Sequence, residues 1–85
     1  MRIVFDDSAW DDYCWWQVQD RKVLARINVL IRDVQRGGNE GIGKPEPLRH
    51  AFHGYWSRRI NDEHRLVYRV VGDEIRIAAC RYHYR

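Results

Sequence analysis

The residues at 80–85 combine a titratable histidine with aromatic and guanidinium side chains, a combination that suits chemistry on a phosphodiester. They read Cys80-Arg81-Tyr82-His83-Tyr84-Arg85. Histidine has an unperturbed pKa of about 6.5 and can give or take a proton near neutrality, whereas arginine is a permanent cation whose planar fork matches phosphate oxygens. We therefore expect RNA or another phosphodiester to be the substrate of a site at this end of the chain.

Glu46 is a second candidate for chemistry, because it lies between Pro45 and Pro47. Proline fixes its own φ and pushes the preceding residue toward extended conformations, so this carboxylate sits on a stiff segment. A rigid surface turn with a solvated glutamate explains the same pattern equally well. Glu46 alone therefore decides nothing.

Glu46, Arg65 and His83 together would satisfy the needs of RNA cleavage by the RNA's own 2′-hydroxyl. That reaction requires a base for the hydroxyl, a cation for the phosphorane and an acid for the leaving 5′-oxygen. A glutamate, with an ordinary pKa of about 4.3, is ionised and could accept the first proton, and a protonated histidine could donate the second. A guanidinium stabilises the growing phosphate charge without reorganising. The scheme uses no metal and no cofactor.

The composition indicates one small domain over residues 1–85, with a thin core filled by four Trp, five Tyr and two Phe. Cys14 and Cys80 are too few for the disulfide framework of a small secreted domain, which favours reduced thiols in the cytoplasm. No apolar run approaches the ~20 residues of a membrane span, and the N-terminal one is too short for a signal peptide. We expect a soluble cytoplasmic protein with no membrane partner.

The net charge of +3 is unevenly distributed along the chain. Residues 1–41 contain six Lys or Arg against seven Asp or Glu, and residues 42–85 contain nine against five, which gives −1 and +4. A solvated surface explains such a bias in many proteins, but the second half is the one expected to meet an anionic partner.

Two helices and a strand are expected to precede the site. Residues 2–5 form the strand, Ser8 with Asp11 resembles a capping box for a helix to about Gln19, and Asp20 can cap a second helix. The second helix carries apolar residues at helical spacing and ends at Gly37-Gly38. A long loop over 37–53 follows, and such a loop is uncommon in a small domain unless it is functional or holds a short helical turn.

Three further strands are expected over residues 55–60, 65–71 and 75–82, with turns at 61–62 and 72–73. In the middle strand apolar residues alternate with Arg65, Val67 and Arg69, so one sheet face can meet the helices while the other offers arginines. The order β-α-α-β-β-β predicts an α+β fold, in which two N-terminal helices pack on one face of an antiparallel sheet.

Other chemistries receive weaker support from the sequence. His50, His53, His64 and His83 lack a recognisable zinc spacing, so no metal site is expected. Cys80 is expected to be a small buried residue rather than a nucleophile. The four tryptophans could stack on nucleobases, but core packing is favoured in so small a chain.

Five segments form a specific combination: residues 44–48 (KPEPL), 54–60 (GYWSRRI), 63–68 (EHRLVY), 78–84 (AACRYHY) and 8–13 (SAWDDY). Together they resemble the YoeB-type (Txe family) mRNA interferase toxins of the RelE/ParE superfamily. The likeness therefore covers almost the whole chain. It implies a RelE-like microbial ribonuclease fold and a bacterial toxin that cuts messenger RNA in the ribosomal A site.

The resemblance also implies roles for individual residues. Glu46 would be the general base, His83 the general acid, Arg65 the group that stabilises the transition state, and Tyr84 would orient the substrate or stack on it. Glu63 would steady Arg65 from behind. The residues expected to contact the substrate are Lys44, Arg49, Arg59 and Arg81.

Two residues depart from the family pattern, and one geometric condition follows. Arg49 stands where a lysine is expected, and Arg85 extends past the tyrosine that often ends the family. Strict strand alternation would put His83 and Tyr84 on opposite faces, so a shared site requires the last strand to bend or end near Tyr82.

The partners implied by the resemblance are an antitoxin similar to YefM, whose acidic, partly disordered tail would wrap the basic face, and the ribosome with its translated mRNA. Operator DNA would be reached only through the antitoxin, and family members often form homodimers. The rival hypothesis is a noncatalytic binder of the same fold, such as a ParE-like gyrase inhibitor. That binder needs neither a base nor an acid, so Glu46 and His83 disfavour it.

Overall fold

Two helices and five strands make up the fold in the computed structural model, which describes residues 1–82. The predictions about His83, Tyr84 and Arg85 therefore lie outside the described residues. The elements, in chain order, are β1 (Arg2–Phe5), α1 (Asp7–Gln19), α2 (Arg21–Gly37), β2 (Glu46–Pro47), a 3₁₀ helix (His50–Phe52), β3 (Trp56–Arg59), β4 (Arg65–Val71) and β5 (Glu74–Ala79). Within residues 1–82, no helix is both long and apolar enough to cross a membrane.

Helix α2 follows the sequence prediction closely. The Asp20 Oδ1 atom accepts hydrogen bonds from the backbone N–H groups of Lys22 and Val23, at 3.0 and 3.3 Å, and so satisfies two donors that a helix start leaves unpaired. Gly38, with φ +63°, ends the helix. The residues that α2 buries are Ile27, Leu30, Ile31 and Val34.

Helix α1 begins at Asp7, so its cap residue lies two positions before the predicted cap, Ser8. Asp6 occupies the cap position and makes no side-chain cap hydrogen bond, while Ser8 already lies in the first turn. The predicted capping box at Ser8 is therefore wrong. The helix is instead held by packing, because it buries Ala9 and Trp16 in the same hydrophobic cluster as α2 and the sheet.

The sheet has the strand order β1-β5-β4-β3-β2. The α+β class and the helix-covered sheet are confirmed, but the expectation of an antiparallel sheet is wrong for one pair, because β1 runs parallel to β5. The other three pairs are antiparallel. A hairpin turn enforces antiparallel pairing between neighbours in sequence, whereas β1 and β5 are linked only through the rest of the fold, so their direction is not set locally.

Strand β5 contains a bulge near its end, and this bulge sets the positions of the residues that follow. Val67 pairs with Ala79 and Tyr68 with Ile77, so Ala78 is an extra residue in β5 and forms a bulge. The bulge shifts the alternation and lets Cys80 join Ile77 in the core, where both are fully buried. The strand ends at Ala79, not at residue 82 as expected, and Tyr82 has φ +64°. The condition that the last strand bend or end near Tyr82 is thus met.

Candidate active site

The sheet face turned away from the helices, called the open face below, carries Glu46. Glu46 pairs with Ser57 and Ser57 pairs with Val67, which in turn pairs with Ala79. Because directly opposed residues of antiparallel strands share a face, these side chains form one row across β2, β3, β4 and β5. The neighbouring positions Trp56, Leu66 and Tyr68 point to the helices and belong to the core side.

Arg59 and Arg65 form a second row on the open face. They are paired with each other and lie two residues along their strands from Ser57 and Val67. With strands ~4.8 Å apart and residues rising ~3.4 Å, the Cα atoms of Glu46 and Arg59 are roughly 8 Å apart, and those of Glu46 and Arg65 roughly 12 Å. A carboxylate and two guanidinium groups therefore start from neighbouring positions on one sheet face.

The Arg65 side chain is oriented by the turn that precedes β4. Its Nη1 atom donates to the carbonyl oxygens of Asn61, His64 and Asp62, at 2.7, 3.0 and 3.4 Å. Glu63 was expected to steady Arg65, but its carboxylate instead lies 3.8 Å from the His64 Nε2 atom. Backbone carbonyls therefore orient this guanidinium in the structure, and the role expected of Glu63 stays a prediction.

The loop that carries Glu46 is fastened to the core by Arg58, which is fully buried. The guanidinium donates five hydrogen bonds: to the Asp33 carboxylate, to the Tyr68 hydroxyl at 3.1 Å, and to the carbonyls of Gly38, Glu40 and Ile42 at 2.7, 3.1 and 3.2 Å. The bond from Arg58, with a second from the Ile42 N–H, holds the pKa of the Asp33 carboxyl below its usual range.

The same loop then passes close to α2 and β3 before it reaches Glu46. Gly43 has φ +82°, and a Cβ there would lie 2.9 Å from a Leu30 methyl carbon, so only glycine fits. The Gly43 carbonyl accepts the Arg59 N–H at 2.7 Å, and the Leu48 N–H donates to the Tyr55 carbonyl at 2.8 Å. Glu46 is therefore fixed on both sides, while its own side chain stays exposed.

Helix α1 fixes the chain just before the tail. The Cys80 N–H donates to the Asp12 carboxylate at 3.1 Å, and the Cys80 carbonyl accepts from the Trp16 indole at 2.8 Å. Burial raises the pKa of the Asp12 carboxyl, although the Cys80 N–H and Arg81 oppose the shift. Burial also raises the pKa of the Cys80 thiol to about 12, and the prediction that Cys80 is buried is confirmed.

Tyr82 is held by two consecutive residues of the turn into β4. Its N–H donates to the His64 Nδ1 atom at 2.6 Å, and its carbonyl accepts the Arg65 N–H at 3.1 Å. His64 is itself 8% exposed and its ring meets the Trp16 ring edge to face at 4.8 Å. The chain thus enters the undescribed residues His83 and Tyr84 from a position beside Arg65.

The predicted substrate contacts divide into two groups. Lys44, Arg49 and Arg59 are exposed, with Lys44 at φ +51°. The Arg81 guanidinium instead lies 3.5 Å from the centre of the Trp15 ring and donates to the Tyr82 hydroxyl at 2.8 Å. This packing favours a role in securing the tail, and a substrate contact by Arg81 stays a prediction.

Arg58, His64, Asp12 and Trp15 are the site-supporting residues that the sequence analysis missed. Only Arg58 left a signal, because the alternation Trp56, Arg58, Ile60 puts an arginine among inward-facing apolar residues. Trp16 and Trp56 pack in or against the core, as expected, whereas Trp10 and Trp15 are 49% and 36% exposed.

The open face is unevenly exposed: Glu46 and Arg59 are exposed, whereas Ser57 and Val67 are only 4% and 1% exposed. A cavity of about 350 Å³ lies elsewhere, between β1 and the helices, lined by Ile3, Phe5, Tyr13, Asn28, Ile31 and Arg32. We place the site at Glu46 rather than there, because the cavity holds no pair of groups suited to acid–base chemistry. Among residues 1–82, no group of three or more His, Cys, Asp or Glu side chains is arranged to hold a metal ion.

Comparison with known proteins gives the same result from sequence and from structure. The YoeB toxin of Escherichia coli K12 is 54% identical over 84 residues, which cover 99% of this chain and all of that one. The YoeB/ParE toxin of Agrobacterium tumefaciens superimposes with a TM-score of 0.96 at 49% identity, covering 99% and 100% of the two chains. YoeB of Staphylococcus aureus, solved as a dimer and in complex with YefM, superimposes with TM-scores of 0.93 and 0.92 at 49% and 48% identity, covering 99% of this chain and 98% of that one.

A family model matches across residues 5–84. The chain therefore belongs to the YoeB-like toxins of bacterial type II toxin–antitoxin systems.

Proposed function

We propose that this toxin is a ribosome-dependent endoribonuclease that cleaves mRNA in the ribosomal A site. The 2′-hydroxyl would attack the adjacent phosphate without a metal ion, leaving a 2′,3′-cyclic phosphate and a 5′-hydroxyl. Glu46 acts as the general base, His83 as the general acid, Arg65 as the cation that stabilises the phosphorane, and Tyr84 orients the substrate.

One observation carries the proposal: Glu46 is an exposed carboxylate on the same sheet face as Arg59 and Arg65. A face that only attracts phosphate gains nothing from a carboxylate, because a carboxylate repels phosphate. A base that takes the 2′-hydroxyl proton beside a guanidinium that neutralises phosphate charge gives this mixture a purpose.

The partners follow from the same face. YoeB of S. aureus forms a complex with YefM, and an acidic, extended antitoxin segment would here neutralise Arg59 and its neighbours and cover Glu46. Because the proposed substrate is mRNA under translation, we place the toxin in the cytoplasm. Operator DNA would be bound only by the antitoxin, so the toxin would reach that DNA only as part of the complex. Homodimer formation, seen for the S. aureus protein, is expected here as well.

The test compares RNA ends in cells that express the toxin. We expect wild-type protein to arrest growth and to produce new 2′,3′-cyclic phosphate ends within translated messages, and to lose both effects when an inhibitor keeps ribosomes off the message. Glu46→Gln and His83→Ala should each lower the yield of new RNA ends by at least about 100-fold. Glu40→Gln is the matched control, because Glu40 is an exposed glutamate of the same loop that lies outside the paired strands, and it should cleave like wild type.

Two results would contradict this function. Glu46→Gln and Glu40→Gln arresting growth equally, with unchanged cleavage, would remove the base from the mechanism. Growth arrest with altered DNA supercoiling and no new RNA ends would instead favour a ParE-like inhibitor of gyrase.

A further inference from the structure

We propose that His64 is a positioning residue of the cleavage site: its Nδ1 atom holds the backbone N–H of Tyr82 and so fixes the point from which the segment with His83 and Tyr84 continues. The inference rests on the proposed function and adds to it a residue that touches neither the substrate nor the reacting atoms.

His64 is fixed both through its backbone and through its ring. The Asn61 Oδ1 atom accepts the backbone N–H groups of Glu63 and His64 at 2.9 and 2.8 Å, which sets the turn, and the His64 carbonyl accepts the Ile60 N–H at 3.0 Å. The ring then packs against Trp16 and is 8% exposed. A side chain fixed this firmly can transmit a fixed position to its partner.

The contact with Tyr82 uses the chemistry of a neutral imidazole. A backbone N–H needs a lone pair, so Nδ1 carries no hydrogen when it accepts the Tyr82 N–H at 2.6 Å. The Glu63 carboxylate lies 3.8 Å from Nε2 and favours the hydrogen on that nitrogen. Glu63 therefore supports the site through His64 rather than through Arg65.

The backbone conformation of Tyr82 requires stabilising contacts from its surroundings. Tyr82 has φ +64°, which is uncommon for a bulky residue and persists where surrounding contacts impose it. His64 holds its N–H and the next residue, Arg65, holds its carbonyl. One dipeptide thus carries the guanidinium that would stabilise the phosphorane and also holds Tyr82, the last described residue before the segment that contains the proposed general acid.

The decisive variants are His64→Asn and His64→Gln. The asparagine oxygen can occupy the position of Nδ1, whereas the glutamine amide reaches the position of Nε2, so the pair has the same chemistry and differs only in reach. In a cleavage assay on ribosomes that carry a defined message, we expect His64→Asn to keep kcat within about threefold. His64→Gln and His64→Ala should lose kcat by about 10- to 100-fold with little change in KM, because the acid is misplaced.

A measurement on the wild-type protein tests the contact without any variant. A through-hydrogen-bond scalar coupling between the Tyr82 amide nitrogen and the His64 Nδ1 nitrogen is expected in the NMR spectrum, and its absence would overturn the proposal. So would equal kcat losses for His64→Asn and His64→Gln in variants that urea titration shows to be folded. If the coupling is present but wild-type protein cleaves no RNA, the proposed function fails and the catalytic role of His64 fails with it, while the anchoring of Tyr82 stands.

Discussion

Replacing Arg58 with lysine should strongly destabilise the toxin although the charge is kept. The buried guanidinium donates five hydrogen bonds to acceptors spread around its plane. A lysine ammonium is a point donor, and at this position it can reach the Asp33 carboxylate and one further acceptor. About three bonds are lost, and at about 1 kcal/mol each the free energy of unfolding should fall by about 3 kcal/mol.

That loss is a large share of the stability expected for a chain of this size. A domain of 85 residues unfolds with roughly 4–13 kcal/mol. Since 1 kcal/mol shifts the melting temperature of such a domain by roughly 4–8 °C, Arg58→Lys should melt roughly 12–24 °C below wild type. Urea titration and calorimetry at one fixed protein concentration would measure both quantities.

Arg59→Lys is the matched control, because it makes the same chemical change one residue along the chain. The Arg59 side chain is exposed, and the hydrogen bonds described for this residue use its backbone N–H and carbonyl, which lysine preserves. It should melt within about 4 °C of wild type. Equal melting temperatures for the two variants would refute the idea that the Arg58 fork holds the loop.

Two further predictions concern titration. The pKa of the Asp33 carboxyl is lowered in the fold, so its stabilisation is present above the unfolded pKa of about 3.9 and is lost as the pH falls through the folded value. Urea midpoints should therefore separate wild type from Asp33→Asn at pH 7, and the separation should shrink as the pH falls below about 3.9; a constant gap would contradict this. Burial raises the Cys80 pKa to about 12, so at neutral pH iodoacetamide should label Cys80 only as fast as the protein unfolds. Mass spectrometry that finds native Cys80 labelled as fast as the half-buried Cys14 would overturn that assignment.

The parts of the fold that could be predicted from the sequence are the locally encoded ones. Asp20, the apolar spacing that follows it and Gly38 define α2 within a few residues, and the alternation around Tyr68 defines β4. The direction of β1 depends on a partner more than sixty residues away. The two-residue strand β2 likewise depends on Ser57 and Trp56, so neither could be predicted from local pattern.

The candidate site divides in the same way. Glu46 and Arg65 could be proposed from residue type and resemblance, and the strand register brings them to one face. What supports them could not be predicted, because the partners of Arg58 are mostly backbone carbonyls and the acceptor for the Tyr82 N–H comes from residue 64. Backbone groups carry no letter in a sequence, and the contact between the Tyr82 N–H and the His64 side chain joins residues 18 apart that meet only once the chain has folded.

The pairing of Cys80 with Asp12 and Trp16 has a consequence for the cell that makes this toxin. During synthesis, the first helix leaves the ribosome long before residue 80 has been added, and the contacts that seat the tail join positions more than sixty residues apart. A nascent chain therefore carries the Glu46 loop before its tail can be seated. The complete fold, with its tail held by Asp12 and Trp16, can therefore form only after residues 80–82 have been translated.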